Sequence, residues 1–275
     1  MSTFRVKEVK AKTVLNTSRI SDVAYAINPY VGCQHGCSYC YARFMERFTG
    51  HAGEEWGKYT DVKINSPEVL EKQLWSKRKA KRERVLLSSV TDAYQPLERR
   101  YEVTRRCLKL LADNGFPVSI LTKSDLVLRD ADLLEYSSEN EIGATIITFD
   151  KAVCRTFEQG VPSPNRRLAT LKAFSEQGLQ TYCFVGPMIP FLTTYELDDL
   201  VRRICEAGVD YAYFDRMNLR PRVGAAVRKT LAEHFPDKTS EIIKALRPES
   251  MFYDSVRETV EDLCRTHGLA ANILF

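Results

Sequence analysis

Three cysteines, Cys33, Cys37 and Cys40, lie in the run Asn28-Pro-Tyr-Val-Gly-Cys-Gln-His-Gly-Cys-Ser-Tyr-Cys-Tyr-Ala-Arg43. This CxxxCxxC loop follows an apolar, strand-like stretch. Thiolates are the usual ligands of iron–sulfur clusters, and three of them hold three irons of a [4Fe–4S] cluster. No fourth cysteine follows at ferredoxin spacing, so one iron is left without a protein ligand and open to chemistry. A second reading of the same residues is structural zinc, with His35 completing a Cys3His set. His35 sits inside the loop between two cysteines, however, whereas ordinary zinc motifs pair two ligand clusters at a distance. Plain core cysteines are the third reading.

The other five cysteines, Cys107, Cys154, Cys183, Cys205 and Cys264, are widely spaced. Cys107 and Cys205 fall on the apolar faces of expected helices, where a free cysteine acts as a small hydrophobe. They read as reduced core residues, which points to a cytoplasmic protein. Cys154 lies beyond the end of an expected strand.

The 275 residues suffice for one α/β barrel or two small domains. The content, 44% apolar and 28% charged, is that of an ordinary globular chain. A net charge of +4 does not by itself indicate a nucleic-acid partner. The first 23 residues hold no apolar core of a secretory signal, and no apolar run approaches the ~18 residues of a membrane span, so no membrane association is expected.

Short β-branched, apolar runs alternate with amphipathic stretches, which implies βα units and a parallel sheet. Strands are expected at Tyr25–Val31, Arg84–Val90, Pro117–Thr122, Ile142–Phe149, Leu179–Gly186 and Val209–Phe214. Helices are expected at Pro67–Lys81, Tyr101–Asn114, Arg129–Ser138, Asn165–Gln177 and Thr194–Ala207. Asn114-Gly115, Gln177-Gly178 and Ala207-Gly208 supply helix stops. Six strands are too few for an eight-stranded barrel. The expected fold is α/β, a partial (β/α)6 TIM-like barrel, with an open doubly wound sheet as the alternative. A single domain is expected: an N-terminal extension over residues 1–23, a barrel core over 24–215, and a helical C-terminal cap over 216–275.

In either architecture ligands gather at the carboxyl ends of the strands. The segments there are Ser88-Ser-Val-Thr-Asp-Ala-Tyr-Gln-Pro-Leu-Glu98, Leu121-Thr-Lys-Ser124, Thr145 to Arg167, Gly186-Pro-Met-Ile-Pro190 and Phe214-Asp-Arg-Met-Asn-Leu-Arg220. Polar and special-backbone residues thus recur at one rim. Asp92 and Glu98 are equally readable as caps of the next helix.

The cysteine loop resembles that of the radical SAM superfamily, in which the open iron binds S-adenosylmethionine (SAM). The rim segments resemble the branch related to spore photoproduct lyase, often labelled DNA-repair photolyase-like. The resemblance runs from about Lys12 to Arg220. It rests on Asn28-Pro-Tyr-x-Gly-Cys, Thr91-Asp-x-Tyr-Gln-Pro-x-Glu98, Thr122-Lys-Ser124, Glu158 followed by Pro162 and Arg167, and Pro187-x-x-Pro190. It implies a [4Fe–4S] cluster and SAM as cofactors and an electron donor such as flavodoxin or ferredoxin as partner. It also implies that Tyr39 and Tyr41 flank the cluster and adenine, and that Thr91 meets the methionyl part of SAM. By the same carry-over, Lys123 pairs with the SAM carboxylate, Thr145 offers it a hydroxyl, and the backbone around Pro187 and Met188 lines the adenine pocket. One departure stands out. Spore photoproduct lyase has a hydrogen-donating cysteine where this chain aligns Ser89, with Cys154 and Cys183 as conceivable substitutes. Repair of spore photoproduct itself is therefore not expected.

Two basic sets remain. Lys77-Arg-Lys-Ala-Lys-Arg-Glu-Arg84 holds six cations and one anion but precedes a strand, which puts it at the end opposite the rim. Arg155, Arg166, Arg167, Arg216, Arg220 and Arg222 follow strands and suit a phosphate or carboxylate substrate, with Arg167, Arg216 and Arg220 the chosen candidates. Pairing with Asp150, Glu158 or Asp215 is the alternative for some of them. The expected function is a radical SAM enzyme that abstracts hydrogen from an anionic substrate, with a nucleic-acid lesion as one candidate. The alternatives are a radical SAM enzyme on a peptide or small metabolite, and a non-catalytic iron–sulfur or zinc module docking on nucleic acid.

Overall fold

The computed structural model describes residues 4–76 and 82–275. The chain divides into two compact units. One comprises the residues up to Gly36 together with Ala42–Gly143; the other comprises Cys37–Tyr41 with Ala144–Phe275.

The first unit contains β1 (Arg5–Val9), β2 (Asn16–Thr17), β3 (Tyr25–Ile27), β4 (Tyr30–Val31), β5 (Tyr59–Lys63), β6 (Val85–Leu87) and β7 (Val118–Thr122). Its main sheet has β3, β6 and β7 side by side and parallel, with β2 antiparallel on the outer edge of β3. Val85 and Leu87 are buried, as are Val118 and Ile120, so these short apolar strands are covered on their faces as parallel strands require. Ile27 aligns with Leu87, and Leu87 with Ile120. That register brings Asn28, Ser88 and the Leu121–Lys123 turn out at one edge. Beside this sheet in sequence, β1 pairs parallel to β5, and β4 antiparallel to it.

The helices of this unit are α1 (Ser66–Ser76), α2 (Glu98–Tyr101) and α3 (Val103–Asp113). Leu70 and Leu74 of α1, and Cys107, Leu108 and Leu111 of α3, are buried at helical spacing. Cys107 is thus a core residue, as expected.

Several expected boundaries move for local reasons. The strand expected over Tyr25–Val31 breaks at Asn28-Pro29, because proline offers no N–H to a ladder. Its halves join different sheets. The helix expected from Tyr101 begins at Val103, after Glu102 adopts a left-handed φ of 49°. The helix expected at Arg129–Ser138 is a 3-10 segment, Asp125–Leu133, started by the Ser124 hydroxyl accepting from Leu126 N. The N-terminal extension carries β1 and β2, which were not expected. Of the basic run, Lys77–Lys81 lies outside the described residues. Arg84 pairs with Glu141 at 3.4 Å and donates to the Glu139 carbonyl, next to the start of β6 and away from the Thr122–Lys123 edge.

β8 (Glu141–Thr145) passes from the first unit into the second after Gly143. The second unit then holds α4 (Lys151–Phe157), α5 (Pro164–Glu176), β9 (Gln180–Met188), α6 (Leu197–Glu206), β10 (Tyr211–Arg216), α7 (Pro221–His234), α8 (Pro236–Ala245), α9 (Phe252–His267) and β11 (Ala270–Ile273). β9, β10 and β11 run parallel in that order. The helices expected in the cap over 216–275 are present, and β11 is an unexpected strand after them. Val185, Ala212 and Phe214 of the strands pack with Leu200, Val201 and Ile204 of α6 and Val256 and Val260 of α9. Asp150 caps α4, accepting from Ala152 N and Val153 N, so its charge faces a helix N-terminus rather than an arginine. Among the described residues no helix is long and apolar enough to cross a membrane.

This packing fixes an expected asymmetry. Ile204→Ala should destabilise the protein by about 2–5 kcal/mol, because it empties a fully enclosed position. Lys172→Ala, at a side chain that is 57% exposed, should change stability by less than about 0.5 kcal/mol. Urea midpoints of the two variants check this, and equal shifts would refute the core assignment.

Candidate functional site

The cysteine loop is held by a different set of buried polar groups in each unit. In the first unit, Asn28 stands where β3 ends. Its side-chain oxygen accepts from Ser89 N and Val90 N, both at 3.0 Å, and Lys63 Nζ donates to its carbonyl. The loop's backbone is then tied to the segment after β6. Thr91 Oγ1 donates to Gly32 O at 2.5 Å, Gln34 N donates to Gln95 Oε1 at 3.0 Å, and Leu97 N donates to the Gln34 side chain at 2.7 Å. Gly32 sits at φ +80°, and a Cβ there would lie 2.6 Å from Tyr59 O, so no other residue lets β5 approach. A Cβ on Gly57 would lie 2.6 Å from the Gly36 Cα.

Two buried carboxylates anchor this framework. Glu98 accepts from the Tyr30 hydroxyl, from Thr104 N and Arg105 N at the start of α3, and from Arg129 at 2.9 Å. It is both a helix cap, one of its two expected roles, and a tie to the strand before the cysteines. Asp92 accepts from Tyr94 N, Thr122 Oγ1 and Lys123 N, and faces His35 Nε2 at 3.3 Å. Burial alone would raise the Asp92 pKa. The His35 charge and the hydrogen bonds from His35, Thr122 and Lys123 outweigh it and hold the carboxyl below the usual carboxylate range. Asp92 is therefore a brace that locks the β7 turn, rather than a cap of α2.

In the second unit the Cys37–Tyr41 stretch is held by α4 and the residues just beyond it. Ser38 N donates to Phe157 O at 3.0 Å. Cys37 and Tyr39 pack with Ile147, Val153, Phe157, Ile189 and Leu192. The Tyr39 hydroxyl donates to Glu158. Glu158 in turn pairs with Arg167 at 2.5 Å, and Arg167 Nη1 also donates to Thr145 O. Burial, then the Glu158 charge, pushes the Tyr39 phenol well above the ordinary tyrosine range, so it stays a donor. Arg167, only 1% exposed, is thereby corrected from a substrate candidate to the charge that neutralises Glu158.

Whether these residues suit an iron–sulfur cluster is testable on their own geometry. Cys33, Cys37 and Cys40 are in no disulfide, the first two buried and the third half-buried. Among the described residues no three His, Cys, Asp or Glu side chains gather closely enough for a single metal ion. The zinc reading needs such a gathering, and its fourth ligand, His35, faces Asp92 instead. Three free thiols within one short loop are the kind of donor set that an iron–sulfur cluster takes.

Most of the remaining candidates lie at or just after strand ends. Lys123 follows β7, half-buried, with its backbone fixed by Asp92. Thr145 is buried at the end of β8. Pro187 and Met188 close β9 after a cis Gly186–Pro187 bond. Tyr41 is 53% exposed. Arg216 and Arg220 are exposed, at the end of β10 and just before α7. Cys154 donates to Thr148 O at 3.5 Å and Cys183 is wholly buried; burial pushes both thiols up to about 12. Sequence reasoning missed Gln95 and Lys63 as loop supports and Tyr253, whose hydroxyl donates to Met188 O at 2.6 Å and accepts from Met217 N at 3.0 Å. The Asn28-Pro29 interruption of an apolar run was the one signal that a side chain must replace ladder hydrogen bonds there.

The buried carboxylates generate two expected outcomes. Glu158→Ala leaves the Arg167 charge buried and unpaired, and should cost about 3–5 kcal/mol in urea unfolding, with Glu158→Leu combined with Arg167→Met recovering much of it. No recovery in the double variant would contradict the pairing account. For Asp92, the folded carboxyl binds its proton less readily than the unfolded one, so its contribution is complete above about pH 4 and is lost as pH falls through the depressed folded value. Asp92→Asn should therefore flatten the acid limb of a stability-against-pH curve, and an unchanged limb would remove Asp92 from it.

Comparisons with known proteins agree with this arrangement. The Radical SAM superfamily matches residues 27–204. An uncharacterized protein of Methanocaldococcus jannaschii is 34% identical over 260 residues, covering 94% of this chain and 95% of its own. A radical SAM Nalpha-GlyT isomerase of Pseudomonas phage M6 is 23% identical over 187 residues, 67% of this chain and 38% of that protein. Among solved structures, a spore photoproduct lyase variant with bound AdoMet and dinucleoside spore photoproduct superposes with a TM-score of 0.74 at 14% identity, over 98% of this chain and 82% of that one. The fold class expected from the sequence is thus borne out as the one shared with spore photoproduct lyase. With a family match over more than half its length and a relative that spans nearly all of it, this chain belongs to the radical SAM superfamily.

Proposed function

We propose that Cys33, Cys37 and Cys40 hold a [4Fe–4S] cluster and that the protein uses it to cleave SAM and abstract hydrogen from an anionic, nucleotide-bearing substrate. The observation that carries the reading is a loop of three reduced thiols with no fourth, fixed by buried carboxylates in both units. When bound, the cluster supplies the electron that opens a carbon–sulfur bond of SAM and so yields a carbon radical able to take hydrogen.

The chain's own residues bind and orient. Lys123, with its backbone locked by Asp92, offers its ammonium to the SAM carboxylate. The Thr91 hydroxyl, which would meet the methionyl part, donates its proton to Gly32 O and accepts from Gln95 Nε2 at 3.2 Å, so it acts toward SAM through its remaining lone pair. Thr145 offers a hydroxyl from the residue whose carbonyl already anchors Arg167. Tyr39, its hydroxyl held by Glu158, presents a fixed ring beside Cys40, and Tyr41 presents an open one. The Met188 carbonyl is occupied by Tyr253, which leaves the Pro187–Met188 backbone set for a flat ring such as adenine. The dinucleoside ligand of the lyase variant supports a nucleotide-bearing substrate. Ser89 in place of the lyase's cysteine argues for a different hydrogen donor and a different reaction outcome.

Anaerobic reconstitution tests the reading. The parent should bind about four irons per chain, and Cys33→Ala, Cys37→Ala or Cys40→Ala should lose them, while Cys107→Ala keeps them. Lys123→Ala should retain iron but bind SAM about tenfold or more weakly, since a hydrogen bond to a charged group is removed. Formation of 5′-deoxyadenosine under reducing conditions completes the test. Stoichiometric zinc without iron, or no SAM cleavage by an iron-loaded parent, would overturn the proposal.

A further inference from the structure

Three arginines from separate elements meet around one cavity in the second unit. Arg216 ends β10, Arg228 lies on α7, and Arg247 follows α8; together they line a space of about 650 Å3. All three are exposed, and among the described residues none has an ion-pair partner. Asp254 is the single acidic residue of that lining and Asp215 acts on Arg216 from beside it, so the three arginines still outnumber the carboxylates. Its lining also includes Phe275 and the buried Tyr253, whose ring centroids lie 5.2 Å apart. A second, smaller cavity of about 430 Å3 places Glu261 with Arg257 and Arg265, and lacks an aromatic ring in its lining.

Unpartnered guanidinium groups repel one another unless an anion lies among them, and their fork of donors matches phosphate oxygens. Aromatic faces beside such a group accept a base by stacking. The volume is that of a small-ligand site. The Tyr253 hydroxyl joins the cavity wall to the Met188 carbonyl and the Met217 amide, so the wall continues into the strand-end segment assigned to adenine. We infer that this cavity binds a nucleotide unit, with the phosphate on Arg216, Arg228 and Arg247 and the base against Tyr253 and Phe275. The inference rests on the proposed function only for the reason a nucleotide is brought there; the binding itself needs no cluster.

The test is binding of a fluorescent oligothymidylate tetranucleotide, of the same tetranucleotide with uncharged methylphosphonate links, and of thymidine monophosphate, by the full-length protein. Each of Arg216→Gln, Arg228→Gln and Arg247→Gln should weaken tetranucleotide binding about tenfold or more. Arg265→Gln, from the smaller cavity, should not. The parent's salt dependence should fall by about 0.7 in slope for each phosphate contact removed. Monophosphate bound as tightly as the tetranucleotide would identify a free nucleotide as the occupant; tetranucleotide preferred over monophosphate would identify a strand. Equal binding by the triple variant and the parent, methylphosphonate bound as well as phosphate, or no binding by the parent overturns the inference. Iron content and SAM cleavage are read on the same preparations. A parent that cleaves SAM but ignores both nucleotides refutes this cavity and leaves the radical reading standing. A parent that binds nucleotide through the arginines yet takes up no iron does the reverse.

Discussion

A carboxyl group inside a protein is tolerable only when nearly every polar atom is met, and three such groups hold the cysteine segment in place. Asp92, Glu98 and Glu158 are each at most 7% exposed. Each gathers donors from several places in the chain: strand ends, helix N-termini, a turn amide and a cation. Moving any one donor leaves a buried charge short of partners, which is far more costly than the net value of a single hydrogen bond. The loop itself has no ladder and no helix to keep its shape. Its stiffness is borrowed from these carboxylates, and so is the placement of Lys123 and Tyr39.

This arrangement also separates two tasks. The groups that fix the loop are buried and satisfied, so they are poor candidates for direct contact with a ligand. More exposed are Lys123 after β7, Tyr41 at the start of the 3-10 stretch that follows the cysteines, and Arg216 at the end of β10. The buried groups that hold the loop are thus distinct from the more exposed cations at the strand ends.

Much of the design was legible in the sequence. The parallel strands β6, β7 and β9 announce themselves as apolar runs, and α3, α5 and α6 as periodic stretches closed by Asn-Gly, Gln-Gly and Ala-Gly. The cysteine spacing carried the resemblance to the superfamily that the match over residues 27–204 bears out. The hidden part was non-local. β1, with the sequence Arg-Val-Lys-Glu-Val and four of five residues exposed, lacks the pattern of a buried strand and exists because β5 offers it a partner. Glu158 and Arg167 are nine residues apart, and their joint link to Tyr39 depends on a contact across 119 residues of sequence. Arg228 and Arg247 belong to amphipathic stretches whose exposed faces carry many cations, and only the packing of α7 and α8 near the end of β10 distinguishes these two.

The Tyr253 hydroxyl lies 65 residues downstream of the carbonyl it meets at the end of β9 and 36 downstream of the amide it meets after β10. A chain emerging from the ribosome therefore finishes both strands well before the group that joins their ends exists. During that interval neither the Met188 carbonyl nor the Met217 amide has the Tyr253 hydroxyl to meet. β10 likewise gains its outer neighbour only when β11 follows, so this end of the sheet is completed by the C-terminal segment, long after the cysteine-bearing loop has been translated.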